Sequence, residues 1–392
     1  ETFVADIVQD FIATSNPVSA LVAVPIINAA GVINAEPFLY VLPDDERLGD
    51  FRAEFGGILG MLEENPDDDA EEVFAGSDKI ILTPKLFDRL EQDNDEQVDA
   101  CDYLTARLID IYLGDWDRHI DQWKWARFEE DGKKMWKAIP RDRDQAFCRY
   151  DGWVANLVEA YVPQIEGADE TYPSMKYLTF SGRHTDWRFL SRLDRVTWDS
   201  VTNAVVARIT DSVIDRAVNR LPRAMLAKAG DGLRRLLRAR RDRLIDASAE
   251  YYCERFSVVD VRGSDKAEYA RVDRIDDDHV SVAIYDLDKE RHARQSPLFQ
   301  RTFLTEETDE IRLLMEGGDD SVDVKGDVDR SILLRIVTGG GNNVVIDSSH
   351  VSGWLFSFLP IPDGENSTLV YTDGKDVRVE KGPSTSIHRR RV

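Results

Sequence analysis

Residues 114–123 run Gly-Asp-Trp-Asp-Arg-His-Ile-Asp-Gln-Trp, and residues 139–147 run Ile-Pro-Arg-Asp-Arg-Asp-Gln-Ala-Phe. Phosphoryl transfer uses side chains in this order. One Asp orients the acceptor hydroxyl, and a later amide or acid holds a metal ion. A further Asp, beyond a short hairpin, holds the metals that bridge the phosphates. Asp117 and Gln122 stand five residues apart, and Asp142 and Asp144 follow at the place of the second ligand. Asp121 is a further oxygen donor, and Arg118 and His119 would support the loop. Hard oxygen ligands suit Mg²⁺ or Mn²⁺ with ATP. The same residues also admit a purely structural explanation. Asp115 would then cap a helix, Arg118, His119 and Asp121 would form surface ion pairs, and Asp142 and Asp144 would pair with Arg141 and Arg143.

The elements that must position these loops are legible around them. Residues 98–113 have a strong helical period, and Trp125, Ala126 and Phe128 face Met135, Trp136 and Ala138 across an acidic turn ending in Gly132. The expected order is helix, loop, hairpin, loop. Thr83-Pro84 is a start signal, a hydroxyl cap followed by proline in the first turn. Upstream, a helix is expected over residues 2–13, a second apolar helix from Pro17 to Gly31, and a strand over 38–42. An acidic loop follows over 63–72. From Phe256 onward the period shifts from 3.6 to 2, with short runs between Gly, Asp and Asn turns, so an all-β, sandwich-like module is expected. The fold class is α+β, divided as 1–75, 76–255 and 256–392. The end, 384–392, reads as a frayed polar tail.

Composition narrows the function. The chain of 392 residues carries 50 Lys+Arg against 74 Asp+Glu, a net charge of −24. Such a surface repels nucleic acids and anionic membranes. Cys101, Cys148 and Cys253 form no CxxC pair, and six His are sparse for a zinc site. The longest apolar run, 20–33, is shorter than the roughly 20 residues of a span and is broken by Pro25 and Asn28. The Arg-rich stretch 234–243 reads as a solvated face paired with acids. His184, with Asp186 near it, reads as structural. Gly317-Gly318-Asp319-Asp320, with Asp323, Asp327 and Asp347, offers Ca²⁺ ligands or solvated turns. The triple glycine at 339–341 precedes no helix and reads as a turn.

Asp117-Arg118-His119-x-Asp121-Gln122 resembles the Asp-Arg-His-x-x-Asn loop of atypical kinases, the phosphoinositide kinases and secretory-pathway protein kinases. Asp142-x-Asp144-x-x-Phe147 resembles the Asp-x-Asp-x-x-Phe segment of CotH-type spore-coat kinases. Both runs together, with Tyr40-Val41-Leu42-Pro43-Asp44-Asp45 and Gly317-Gly318-Asp319-Asp320, resemble a group of large Bacteroidetes-type envelope proteins. In that group the segment often lies beside a metallophosphoesterase domain and precedes an outer-membrane barrel. The resemblance implies a kinase-like large lobe after an incomplete small lobe, with Glu63 and Glu64 near the nucleotide-binding hinge. Asp6 or Asp10 would stand for the acid that pairs a phosphate-binding Lys. It implies either a metal- and nucleotide-dependent phosphotransferase acting on an unknown acceptor, or a non-catalytic scaffold of an envelope-located phosphoesterase protein. Gln122 departs from the usual Asn, and no Gly-rich phosphate loop precedes the site.

Overall fold

The computed structural model describes residues 18–67, 74–130, 132–149, 167–352, 368–372 and 376–389. The helix expected over 2–13, with Asp6 and Asp10, lies outside them. The first described helix, α1 (Ser19–Ala30), ends at Gly31 in the left-handed conformation. It is apolar all round, as a central helix must be. It packs against α4 (Ala100–Leu113), α7 (Arg195–Arg208) and α8 (Asp211–Val218). Between α1 and the next layer, β1 (Phe38–Val41) and β2 (Leu59–Leu62) form a two-stranded antiparallel ribbon, with the short α2 (Arg52–Phe55) in the connection.

A four-stranded sheet runs in the order β3 (Lys79–Leu82), β5 (Trp123–Glu130), β6 (Lys133–Pro140), β4 (Glu96–Val98). The hairpin β5–β6 puts Trp123, Trp125 and Trp136 into the core, all fully buried. Helix α3 (Thr83–Gln92) starts where Thr83-Pro84 predicts, but its hydroxyl does not cap it. Thr83 Oγ1 donates instead to the carbonyl of Ile120 at 2.7 Å and accepts from Trp125 Nε1 at 3.0 Å. That ties α3 to the loop carrying Asp117. Asp99 caps α4 by accepting from the N–H groups of Cys101 and Asp102, each at 3.0 Å.

Residues 195–218 fold as two helices, α7 and α8. The short α5 (Met175–Leu178) and α6 (Arg183–Phe189) precede them. The Arg-rich segment lies on α9 (Arg223–Phe256). Arg234, Arg235, Arg238 and Arg241 pair with Asp215, Glu170, Asp211 and Asp242, so the solvated-face reading holds for them. Arg240 differs. It is buried and donates to the carbonyls of Ile111 and Tyr112 at 2.7 and 2.8 Å, closing the C-terminus of α4.

The C-terminal strands fall where the period-2 runs place them, but their topology is not that of a sandwich of hairpins. β7 (Val258–Arg262), β11 (Glu310–Leu314), β14 (Leu333–Val337), β17 (Thr368–Thr372) and β19 (Thr385–Arg389) pair in parallel as one sheet. β8 (Glu268–Arg274), β12 (Ser321–Lys325), β15 (Val344–Asp347) and β18 (Arg378–Glu380) pair in parallel as a second. β13 (Asp327–Val328) and β16 (His350–Val351) form a third, short step. Glu310 pairs with Leu333, Ser321 with Val344 and Asp327 with His350, the same 23-residue offset on all three faces of this one step. The chain therefore winds in stacked coils, a parallel solenoid whose inward residues such as Ile311, Leu334, Val322 and Val345 share one core. An antiparallel insertion, β9 (His279–Asp286) and β10 (Phe299–Leu304), extends the second sheet beyond β8. The tail expected to fray forms β19.

The candidate Ca²⁺ residues take separate places in this stack. Asp319 Oδ1 accepts from the backbone N–H of Asn342 at 2.8 Å. Asp323 Oδ2 accepts from the Tyr269 hydroxyl at 3.1 Å. Asp320 is buried in a ladder across three coils. Its Oδ1 accepts from Glu268 N–H at 2.9 Å, and its own N–H donates to Asn343 Oδ1 at 2.8 Å. Burial, then the charges of Glu268 and Asp319, push Asp320 up to about 8, although the Glu268 N–H pulls the other way. Its Oδ2 is buried without a hydrogen-bond partner.

Because this folded-state value lies above the ordinary 3.8 of an aspartate, the unfolded chain ionises first. The stabilisation is complete below the lower value and is lost as pH rises toward the upper one. Asp320→Asn, which copies Asn343 of the next coil, should remove that slope and gain about 1–3 kcal/mol at neutral pH. Urea unfolding at pH 5 and pH 8 measures it. A variant that is less stable than the parent at pH 8 would refute the assignment.

Candidate functional site

The site is built where α4 ends. Gly114 adopts φ +71, and a Cβ there would meet Ala168 Cβ at 2.8 Å, so the turn out of α4 needs glycine. Directly below the turn lies a buried charge network. Asp110 accepts from Arg107 Nη1 at 2.9 Å, lies 3.3 Å from Arg118 Nε and is bonded by Arg143 Nη1. Asp115 accepts from the same Arg143 nitrogen at 3.0 Å and lies 3.6 Å from Arg118 Nη1. Arg107 reaches on to Asp186, which also accepts from the Tyr103 hydroxyl. Burial disfavours the Asp110 charge, but Arg118, Arg143 and Arg107 outweigh it and hold the carboxyl below its ordinary range. Asp115 is shifted upward, chiefly by burial.

These contacts correct two sequence expectations. Arg143 does not pair with Asp142 or Asp144 but with the floor of the site. Asp115 follows α4 as a buried acceptor and caps no helix. Asp186 belongs to Arg107 and Tyr103, while His184 stacks edge-on with Trp187 at 6.0 Å.

Arg118 is the link between the two loops. Fully buried, it lies over Trp123 at 4.7 Å. Its Nη1 donates to the carbonyls of Arg141 at 2.6 Å and Asp142 at 3.0 Å, and its Nη2 donates to that of Gln122 at 3.1 Å. Asp142 takes φ +54, an uncommon conformation that Asp tolerates better than most side chains. The turn Arg118 holds therefore aims the Asp142 carboxylate at the first loop. Gln122 Nε2 lies 3.3 Å from Asp142 Oδ2 and 3.3 Å from His119 Nε2.

His119 Nδ1 accepts the Asp121 N–H at 3.3 Å. Gln122 Nε2 donates to Asp142 Oδ2, so one amide spans the two loops. Burial first, then Asp142, pushes Asp144 upward. Burial also raises Asp117, with Asp142 adding and His119 and Arg118 opposing. Asp117, Gln122, Asp142 and Asp144 thus converge on one edge as an oxygen-rich, electronegative set. That donor chemistry fits a hard divalent cation. As positioned, they do not close a shell: among the described residues no three His, Cys, Asp or Glu stand close enough to hold a metal ion.

The remaining expected residues are less central. Asp121 is mostly exposed and turns to His119 at 3.6 Å. Glu63, just past β2, is exposed. Partial desolvation raises it, and the charges of Arg141, Arg143 and Asp142 act on it, so it sits beside the second loop. Glu64 is exposed and has no described bond to the site. The buried partners Arg107, Asp110 and Arg143 went unrecognised in the sequence. The one available signal was Asp110, a charge on the apolar face of 104–113.

No family model matches the chain, and no curated protein matches it. Among solved structures it is similar to the Helicobacter pylori proinflammatory kinase CtkA, at 15% identity and a TM-score of 0.36, over 59% of this chain and 85% of that one. It is also similar to a chain of the Shewanella oneidensis MR-1 toxin–antitoxin complex of HipA, HipB and operator DNA. There the identity is 13% and the TM-score 0.31, over 60% of this chain and 57% of that one. Likeness at these scores is partial, and the functional reading stands on the loop geometry alone. Among the described residues no helix is long and apolar enough to cross a membrane.

Proposed function

We propose that this chain carries a kinase-like phosphotransferase site. The observation that carries the reading is the Arg118 staple, which brings Gln122 and Asp142 within 3.3 Å across the β5–β6 hairpin. In the reading, Asp142 and Asp144, with Gln122, face Mg²⁺ or Mn²⁺ and the phosphates of ATP. When bound, the cation neutralises charge on the transferring phosphoryl group. Asp117 accepts the proton of the acceptor hydroxyl, and its raised affinity for protons suits it to that task. His119 and Arg118 hold the loop. Glu63 and Glu64 border the nucleotide.

The first test is thermal unfolding with and without Mn²⁺ plus ATP. Binding to the folded state alone raises the midpoint by mass action; saturation at about a hundred times Kd corresponds to about 2.7 kcal/mol. Asp142→Asn and Asp144→Asn should lose the rise while unfolding normally without ligand. No rise at millimolar nucleotide sinks the proposal.

A second reading is favoured by the open donor set: a kinase-like scaffold without catalysis, in a bacterial envelope protein that also carries a phosphoesterase domain and a barrel. It requires that nucleotide leaves the midpoint unchanged.

A further inference from the structure

Away from these loops, a cleft opens where the helical layer meets the first coil of the solenoid. Its walls come from β4 and α6 on one side and from the turn after β7, with β9, on the other. None of Asp117, Gln122, Asp142 or Asp144 lines it. Phe189, Ile284, Leu298 and Phe299 make one part apolar, Arg188, Arg192 and Arg262 bring guanidinium groups to the same space, and the carboxylates there are already engaged, Glu96 by Arg89 and Arg127, Asp93 by Lys266 and Glu268 by Ser264.

Their partners differ. Arg188 is bonded to Glu91 at 2.7 Å, and Arg262 to Glu316 at 2.6 Å and Asp260 at 3.2 Å. The Arg262 Nε is buried with no acceptor. Arg192 meets only neutral groups among the described residues: the Leu298 carbonyl at 3.1 Å and Gln97 Oε1 at 3.4 Å. No carboxylate is bonded to Arg192 among the described residues, and its guanidinium faces solvent and the Phe299 ring, 5.7 Å away. In a chain of net charge −24 a cation without an acid is out of character. An apolar wall beside such a cation is what a small amphiphilic anion requires.

We infer that this cleft binds a small molecule with one anionic group, seated on Arg192 and backed by Arg188 and Arg262, and an apolar body against Phe189 and Phe299. Carboxylate and phosphate ligands share this chemistry.

Titration calorimetry with phenyl phosphate and with benzoate separates them, and benzyl alcohol serves as the neutral counterpart. At least one anion should bind at least tenfold more tightly than the alcohol. Arg192 is exposed, so Arg192→Gln should unfold as the parent does while losing that preference. Arg192→Lys, a charge without the planar fork, should retain part of it. Competition by inorganic phosphate should follow if the headgroup alone suffices. Equal binding of the alcohol and both anions, unchanged binding to Arg192→Gln, or no binding at millimolar probe each overturns the inference.

Discussion

Asp110→Ala is expected to lower the unfolding midpoint by about 10 °C, corresponding to a loss of about 3–5 kcal/mol. Asp110 is completely buried, and Arg107, Arg118 and Arg143, each between 0 and 6% exposed, converge on it. Removing the carboxylate leaves three cations with Asp115 and Asp186 alone to neutralise them. Desolvated charges that lose a partner cost far more than exposed pairs, which contribute about 0–1 kcal/mol. The network is already under-satisfied: Asp115 Oδ1 and Arg143 Nη2 are buried without hydrogen-bond partners. The acceptor it leaves open, Asp115 Oδ1, sits on a carboxyl that Arg143 and Arg118 already share, so it replaces Asp110 only in part. Calorimetry on Asp110→Ala beside Arg235→Ala, whose ion pair with Glu170 is exposed, gives the contrast. Similar midpoints for the two variants would show that the network does not hold the fold.

Asp117→Asn is expected to slow phosphoryl transfer by about 10²–10⁴. The rise in midpoint with Mn²⁺ plus ATP should be unchanged, because Asp117 is assigned to the acceptor and not to the nucleotide. The readout is single-turnover transfer from ATP, followed against pH. A base must be ionised to act. Burial raises Asp117, so activity should fall, as pH drops, at values above the ordinary aspartate range. Asp117→Asn should abolish that limb together with the rate. A variant as fast as the parent would remove Asp117 from the mechanism and leave the scaffold reading standing.

What the sequence disclosed follows from how far each signal reaches. The order of helix, loop, hairpin and loop around Asp117 and Asp142 is local, and hydrophobic period together with Gly114 and Gly132 makes it legible. The partner of Arg143 is not local. Asp142 and Asp144 are its neighbours in the chain, yet Asp110, a full hairpin away, claims it because the loop turns at Asp142. The period-2 runs after Phe256 locate strands but say nothing of which strand lies alongside or in which direction. The parallel winding was nonetheless written in the residues. Gly317-Gly318-Asp319-Asp320 and Gly340-Gly341-Asn342-Asn343 are the same turn one coil apart, and reading the first as Ca²⁺ ligands or a solvated turn, and the second as an unrelated turn, concealed the repeat. The Thr83 hydroxyl shows the opposite case, a sound local capping signal overridden by a distant carbonyl.

The parallel winding has a mechanical consequence. Each turn of the winding touches mainly the turn before and the turn after it, so the module lengthens or shortens in whole steps of about 4.8 Å along its axis, the spacing of paired strands. Loss or duplication of one coil, such as the 23-residue one between Glu310 and Leu333, changes the reach of the stack while leaving the side chains of the other coils facing as before. Coil length runs from 17 residues between Thr368 and Thr385 to 52 between Val258 and Glu310, so the C-terminal module is a ruler graduated by strand spacing and not by chain length.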